Sequence, residues 1–432
     1  MTTLRILATT DLGTAVVPMR ATYGQTGTVS GVARLLEREL ERGPALWLDV
    51  GDLTVGPAMV LLDERPWDEL AGLPIACCAV GNHDFDDGLD ALRAGAARLR
   101  YPMLCANVDV GLPATALIDT PAGGVGVIGL AHPSGDAFTH APPARADWRV
   151  DELARALRAY GARWVVALLH DGVTWWPSAD SIATRADRLE ALVRPWAAAV
   201  DLIIGGHNFG AWTGTLAGTP AGEAHVYAAS VLVADLGPEV VVRGVVPTPA
   251  VRPARVTPAV AAFDAAAANV VGESAERWIS RTGAERYLPD RIAHAFRVTS
   301  GADAAFVPLA HHGAQVPLDG VIAELPAGPV TELDRVRLFP ADDYGPLVVE
   351  LQAGEWERIL AHHAAAADPA NTATDGEWWN WCRMPAGTST TSPRPASVAM
   401  VAGNVTLVSD WLDRELTSEP SPVSARDALV VG

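Results

Sequence analysis

Six short apolar runs occupy the first half of the chain, most of them closing on Asp, Asn or His, and segments of helical period lie between them. The runs are LRILATTD (4–11), ALWLDVGD (45–52), IACCAVGNHD (75–84), GVGVIGL (124–130), WVVALLHDG (164–172) and DLIIGGHN (201–208). The intervening SGVARLLEREL (30–40), GLDALRAGAARL (88–99) and VDELARALRAYG (150–161) carry apolar residues at i, i+3, i+4 and i+7, the spacing that gives a helix one buried face. Strand alternating with helix predicts an α/β layer architecture with several buried strands. In such sheets ligands bind beyond the carboxyl ends of the strands, so the terminal polar residues are expected to converge on one site.

At ~100–200 residues per domain, a chain of 432 residues is expected to form two domains. The rhythm breaks at the proline-bearing VVPTPAVRPARVTP (245–258), after which AVAAFDAAAANVVGESAERWI (259–279) reads as an Ala-rich helical run. The chain then divides into a first domain over 1–250, a linker with a helix over 251–290, and a second domain over 291–432. A strand in GPLVVELQAG (345–354) and a helix EWERILAHHAAAA (355–367) make the second domain a smaller α+β unit.

Charge narrows the partners. With 51 acidic against 32 basic residues the net charge is −19, which repels nucleic acid polymers and anionic membranes. The chain has no lysine, so Schiff-base and lysine–phosphate chemistry are excluded. The opening MTTLRILATTD has neither a basic n-region nor an apolar h-region, and no apolar run reaches the ~18–20 residues of a membrane span, so a cytoplasmic location is expected. Cys77, Cys78, Cys105 and Cys382 form no C-x-x-C pair and read as reduced core residues.

Taken in order, the strand-end residues are Asp11, Asp52, Asn82, His83, Asp84, Asp86, His170 and His207. Each alone is ordinary, since Asp and Asn serve turns and a strand-end His more often caps or packs. Together, carboxylate, carboxamide and imidazole form the ligand set of a divalent-metal hydrolase.

The motifs T-D-L-G-T (10–14), G-D-L (51–53), G-N-H-D-F-D (81–86), L-L-H-D-G (168–172) and G-G-H-N-F (205–209) occur in the order found in calcineurin-like metallophosphoesterases. The chain resembles that group, and within it the 5′-nucleotidase family with its second, substrate-binding domain. The resemblance implies a layered α/β/β/α sandwich followed by a smaller α+β domain. It implies a divalent metal (Mn, Mg or Zn) held by Asp52, Asn82, His170 and His207. It also implies a catalytic His83 oriented by Asp86; a carboxylate on one ring nitrogen fixes the tautomer and raises basicity. The other metal site departs from the pattern. The usual D-x-H reads Asp11-Leu12-Gly13, and the usual G-H-x-H ends in Phe209, which leaves Asp11 and the shared Asp52. Two carboxylates suit a weakly held magnesium or manganese better than zinc, so one tight site is expected and a second that is weak or absent. Asn208 is an alternative ligand if the loop shifts by one position.

The second domain resembles the family's C-terminal domain through SGADAAFV (300–307), LPAGPVTELDRVRLFP (325–340) and PLVVELQAGEWERIL (346–360). The family's Asn-x-Gly-Gly-x-Arg should follow Val307, but His311 and His312 stand there instead. Arg335 and Arg337 are candidate cations. Trp378, Trp379, Trp381 and Arg383, within EWWNWCRMP (377–385), combine stacking faces with a guanidinium and are the expected substrate-binding residues, set in a cleft between the domains. Trp175 and Trp176 are the next candidates, and core packing is the alternative for every one of these tryptophans. His132, His140, His225, His294, His362 and His363 read as surface or core residues. The expected activity is release of phosphate from a small metabolite, a nucleotide or nucleotide-like monoester. A phosphodiesterase or pyrophosphohydrolase on a cyclic or dinucleotide substrate, and a degenerate ligand-binding protein without turnover, stand as alternatives.

Overall fold

The computed structural model describes the chain except residues 1, 22–23, 134–144, 146, 178–181, 209, 280–284, 308–323, 339–345, 368–385 and 429–432. It forms two compact units, one comprising 1–19, 25–174 and 184–261 and the other 20–24, 175–183 and 262–432.

The first unit contains two six-stranded sheets. One is built from β1 (Leu4–Thr9), β2 (Ala45–Asp49), β3 (Ile75–Ala79) and β4 (Met103–Leu104). The other takes β5 (Thr115–Ile118), β6 (Gly124–Leu130), β7 (Ala162–Leu169), β8 (Leu202–Gly205), β9 (Trp212–Leu216) and β10 (Thr219–Glu223). The chain then returns to the first sheet with β11 (Ser230–Leu236) and β12 (Val240–Pro247). The spatial orders are β12-β11-β1-β2-β3-β4 and β9-β10-β8-β7-β6-β5. In the first sheet β1 to β4 run parallel, and in the second β6, β7 and β8 do, so the carboxyl ends of the motif-bearing strands share one edge of each sheet.

Side-chain alternation explains the layering. The inward residues of both sheets, among them Ile6, Leu48, Cys77, Val127, Leu168 and Ile204, form one buried core between them. The opposite face of the second sheet packs Ile128, Leu130, Val165 and Ile203 under α3 (Val150–Ala159) and α4 (Asp187–Val193). Helix α1 (Val29–Arg42) buries Val29, Val32 and Leu36. It is capped by Thr28, whose hydroxyl accepts the Gly31 N–H at 3.0 Å. Helix α2 is Leu89–Ala96. With two sheets face to face and helices outside, the first unit is an α/β/β/α sandwich.

The alanine-rich segment behaves differently from its reading as one helix over 259–279. Helix α5 spans Pro258–Ala268 only, and Val270–Ser274 is a strand paired with Gly328–Thr331. β-Branched Val270 and Val271 followed by Gly272 favour extended backbone over helix. Beyond it the second unit holds α6 (Leu288–Ser300), β13 (Ala304–Val307), β14 (Leu347–Glu350), α7 (Glu355–Ala367), β15 (Gly387–Thr390), β16 (Ser397–Met400), α8 (Ala402–Leu412) and β17 (Ser418–Pro420). The five strands form one mixed sheet in the order β15-β13-β16-β14-β17. Leu288, Ile292 and Phe296 of α6 are buried in a core with Ala305 and Ala399, whereas Phe306 packs edge-on against Trp356 and Trp411 in a separate core. Among the described residues no helix is long and apolar enough to cross a membrane.

Candidate active site

Five strand-end loops carry the site. Asp11 follows β1, Asp52 follows β2, Asn82 and His83 follow β3, His170 follows β7 and His207 follows β8. Asp11, Asp52 and His207 have positive φ, of 48°, 56° and 72°. Such backbone is uncommon for residues with a side chain and costs ~1–3 kcal/mol each where the surroundings impose it. Here hydrogen bonds between loops impose it. Asp11 N–H donates to the Gly51 carbonyl at 2.9 Å, and His207 N–H donates to Asp11 Oδ2 at 3.0 Å. Buried Asp84 accepts from Asp52 N–H at 3.1 Å and Gly81 N–H at 2.8 Å, and His83 N–H donates to Asp52 Oδ1 at 2.8 Å. Gly81 is required by proximity: a Cβ there would sit 2.0 Å from Asp52 Oδ1.

The result is a knot of lone pairs. His170 Nδ1 lies 2.9 Å from the Val50 carbonyl, so that nitrogen carries the proton and Nε2 points into the site. Nε2 stands 3.1 Å from Asn82 Oδ1 and 3.3 Å from Asp52 Oδ2, and His207 Nδ1 stands 2.9 Å from the same Asn82 oxygen. Asp52, His170 and His207 offer ligand atoms all within 4.8 Å of one another. Acceptors facing acceptors in a buried place call for a cation. In the metal-free protein a proton fills that need. Burial disfavours charge on His170, yet Asp52 and then Asp11 push it up to about 10. Burial likewise opposes ionisation of Asp52, yet His170 holds its carboxyl down at about 2. Burial, with His132, His170 and His83 close by, pushes His207 well below the usual imidazole range and keeps it neutral. A carboxylate, a carboxamide oxygen and two imidazoles fit a divalent transition-metal ion.

Beside this cluster, His83 Nδ1 lies 3.0 Å from Asp86 Oδ2. His83 opens a short 3₁₀ turn, His83–Phe85, and Asp86 caps it, which brings positions three apart to one side.

Asp11 adjoins the cluster without joining the group of three. Its Oδ2 accepts from the Thr10 hydroxyl at 2.5 Å and from His207 N–H, and burial raises its carboxyl to about 6. Where D-x-H would put an imidazole, Gly13 has φ +56°, and a Cβ would lie 2.5 Å from the Tyr227 ring and 2.6 Å from the Val55 carbonyl. Tyr227 therefore fills the space a ligand there would need. Asn208 turns its amide to the Gly172 carbonyl at 2.9 Å. Phe209, His311, His312, Trp378, Trp379, Trp381 and Arg383 lie outside the described residues. Trp175 and Trp176 belong to a short strand, Thr174–Pro177. Arg335 and Arg337 are engaged within the second unit, Arg335 with Glu332 and Asp427, and buried Arg337 with the Glu324 carbonyl.

One site neighbour escaped the sequence reading. His132 follows β6, is buried, and lays its ring 4.2 Å from that of His207, centroid to centroid. Asn107 fixes the backbone just before it, donating to the Ala131 carbonyl at 2.7 Å and accepting Ala131 N–H at 2.8 Å. The available signal was positional: β6 is a parallel neighbour of β7, and His132 stands two residues past its end as His170 stands one past β7.

A scan of protein families matches residues 4–208 to the calcineurin-like phosphoesterases. That stretch is a calcineurin-like phosphoesterase domain. It contains every metal-ligand and dyad candidate described above. No curated protein sequence gives a significant match to the chain. Among solved structures, a 5′-nucleotidase precursor of Thermus thermophilus is 17% identical and superposes with a TM-score of 0.70, covering 99% of this chain and 95% of that one. The sulfate thiohydrolase SoxB of Thermus thermophilus gives 16% identity and 0.69, covering 99% and 93%. A putative 5′-nucleotidase of Staphylococcus aureus gives 14% and 0.63, covering 99% and 96%. The phosphoesterase domain and the unit that follows it thus share the two-domain 5′-nucleotidase fold.

Proposed function

We propose that this metal-dependent phosphoesterase releases phosphate from a small monoester, a nucleotide or nucleotide-like metabolite, with one tightly held divalent ion. The observation that carries the reading is the convergence of Asp52, Asn82, His170 and His207 on one point beside His83 and Asp86. Those four residues would hold a divalent ion, which would supply Lewis-acid charge to the phosphoryl group. The protein's own groups do the rest. The Val50 carbonyl keeps the His170 ring in place through Nδ1, and Asp86 holds the Nδ1 proton of His83, which leaves Nε2 to exchange a proton at the reacting oxygens. The blocked position at Gly13 and the hydrogen-bonded Asp11 support one tight ion over two. Recognition of the leaving group is assigned to Trp378, Trp379, Trp381 and Arg383 on their chemistry alone, since an indole face contributes ~1–3 kcal/mol per stacked base.

The test is phosphate release by the purified chain from nucleoside monophosphates, cyclic nucleotides and pyrophosphate, with Mn, Mg or Zn and with chelator. Release from a monophosphate that chelator abolishes supports the reading. Preference for a cyclic substrate or pyrophosphate selects the diesterase or pyrophosphohydrolase instead. Tight metal binding with no turnover on any compound leaves a ligand-binding protein. Trp→Leu changes at 378, 379 and 381 that all keep wild-type KM remove the leaving-group assignment.

A further inference from the structure

We propose that Arg65 is a positioning residue for the His83–Asp86 pair, acting through Asp86; the inference rests on the dyad role given above. Arg65 lies in the connection between β2 and β3, and its side chain is only 10% exposed. A guanidinium held that far from water needs its donors matched by acceptors. Two of them are. Nε donates to Asp87 Oδ2 at 2.5 Å, and Nη1 donates to the Thr54 hydroxyl. Thr54 stands two residues after Asp52, and Asp87 follows Asp86, so Arg65 ties the loop of one metal ligand to the turn that carries the dyad.

With the fork clamped on those partners, Nη2 comes to rest 3.6 Å from Asp86 Oδ2. That oxygen is the one 3.0 Å from His83 Nδ1. A separation of 3.6 Å is too long for a hydrogen bond and short enough for an ion pair. Arg65 therefore supplies positive charge without competing for the lone pair that His83 uses. The other oxygen, Asp86 Oδ1, is buried and has no hydrogen-bond partner among the described residues. The contacts that fix the Asp86 carboxylate thus come through Oδ2, from the imidazole and from Arg65. Removal of the guanidinium leaves the imidazole alone to orient the carboxylate that is meant to orient it. Partners at this remove from the reacting atoms are typically worth ~10–100-fold in activity.

The experiment compares full-length wild type, Arg65→Ala, Arg65→Gln, Asp86→Asn and the Arg65→Ala/Asp86→Asn double variant on the best substrate of the panel, with metal content and thermal midpoint measured for each. Arg65→Gln keeps amide contacts to Thr54 and Asp87 without the charge, and it carries the comparison if Arg65→Ala does not fold. Expected is a ~10–100-fold fall in kcat for both Arg65 variants, with KM and metal content unchanged. Added to Asp86→Asn, the Arg65 change should cost less than about twofold more, because the two act as one unit. Equal losses in both backgrounds, loss of metal alongside loss of activity, or an unimpaired Arg65→Gln would overturn the proposal. An impaired Asp86→Asn beside unimpaired Arg65 variants removes Arg65 only. A fully active Asp86→Asn removes the dyad reading, and this proposal with it.

Discussion

At single residues the site is decided by what is absent as much as by what is present. Asp52 reaches its position because Gly81 has no Cβ, and the 2.0 Å approach leaves no room for one. Gly81→Ala should therefore cost ~1–3 kcal/mol of stability, as overpacked substitutions do. It should also weaken metal binding, both read from denaturant unfolding and metal titration; a variant with native stability and affinity would mean that the loops part easily. The two histidines next to each other in the scheme should separate cleanly. His83→Ala is expected to lower turnover ~10²–10⁴-fold with metal retained, the usual scale for losing a general acid or base. His170→Ala should lose the metal itself, since both ring nitrogens are committed, one to Val50 and one to the cluster. Elemental analysis alongside kinetics distinguishes them, and a metal-free His83→Ala would show that its ring is a ligand.

Elements set the angles at which those residues meet. The ligand loops all leave parallel strands at the same edge of their sheets, and the second sheet contributes three histidines in neighbouring loops, after β6, β7 and β8. His132 is the one outside the Asp52, His170 and His207 group, yet its ring covers His207 and Asn107 clamps the backbone of Ala131 just before it. We expect His132→Ala to weaken the tight metal site ~10–100-fold by freeing the His207 ring. His132→Phe, which restores an aromatic face, should recover most of the loss. Metal titration of the two variants tests this. If Ala and Phe are equally weak, His132 acts through a nitrogen and not through packing.

At the scale of the whole molecule, the buried charge makes stability depend on pH and on metal in opposite senses. In the metal-free protein burial raises Asp11 and Asp84 to about 6, from an ordinary value of 3.8. The folded state therefore binds protons that the unfolded chain does not, and stability rises as pH falls from 7 toward 4. His170, raised to about 10 from 6.5, adds stability that is complete below 6.5 and lost as pH climbs through 10. Asp52, lowered to about 2, opposes only below 3.8, and His207, pushed well below its ordinary 6.5, opposes below 6.5; four carboxyls raised by burial, Asp11, Asp84, Asp49 and Glu223, act against it. Thermal midpoints of chelated protein should thus be higher at pH 5 than at pH 8. The increase in midpoint on adding manganese should run the other way, larger at pH 8, because protons compete with metal for the same ligands. A manganese effect that grows toward pH 5 would place the ion elsewhere. Titration at pH 8 should find one tight equivalent, and two of equal affinity would restore a second site around Asp11.

Much of this was legible in the residues. The period-2 and period-3.6 patterns located β1, β2, β3, β6, β7, β8 and α1, α2 and α3, because each element's own side chains decide which face is buried. The polar residues at strand ends named the chemistry, because divalent metals accept few side-chain types. What required the fold was relation. The pattern by itself reads as one alternating series; the α/β/β/α sandwich was expected through the resemblance alone, and which run joins which of the two sheets is a matter of pairing between strands distant in sequence. The helical reading of 259–279 failed at Val270, where pairing with Gly328–Thr331 outweighs the alanine-rich local preference. Gly13 was visible as a missing imidazole, but that Tyr227, more than two hundred residues later, occupies its space was not. His132 and Arg65 carry no motif at all. Their positions depend on Asn107, Thr54 and Asp87, and such contacts exist only once the chain has closed on itself.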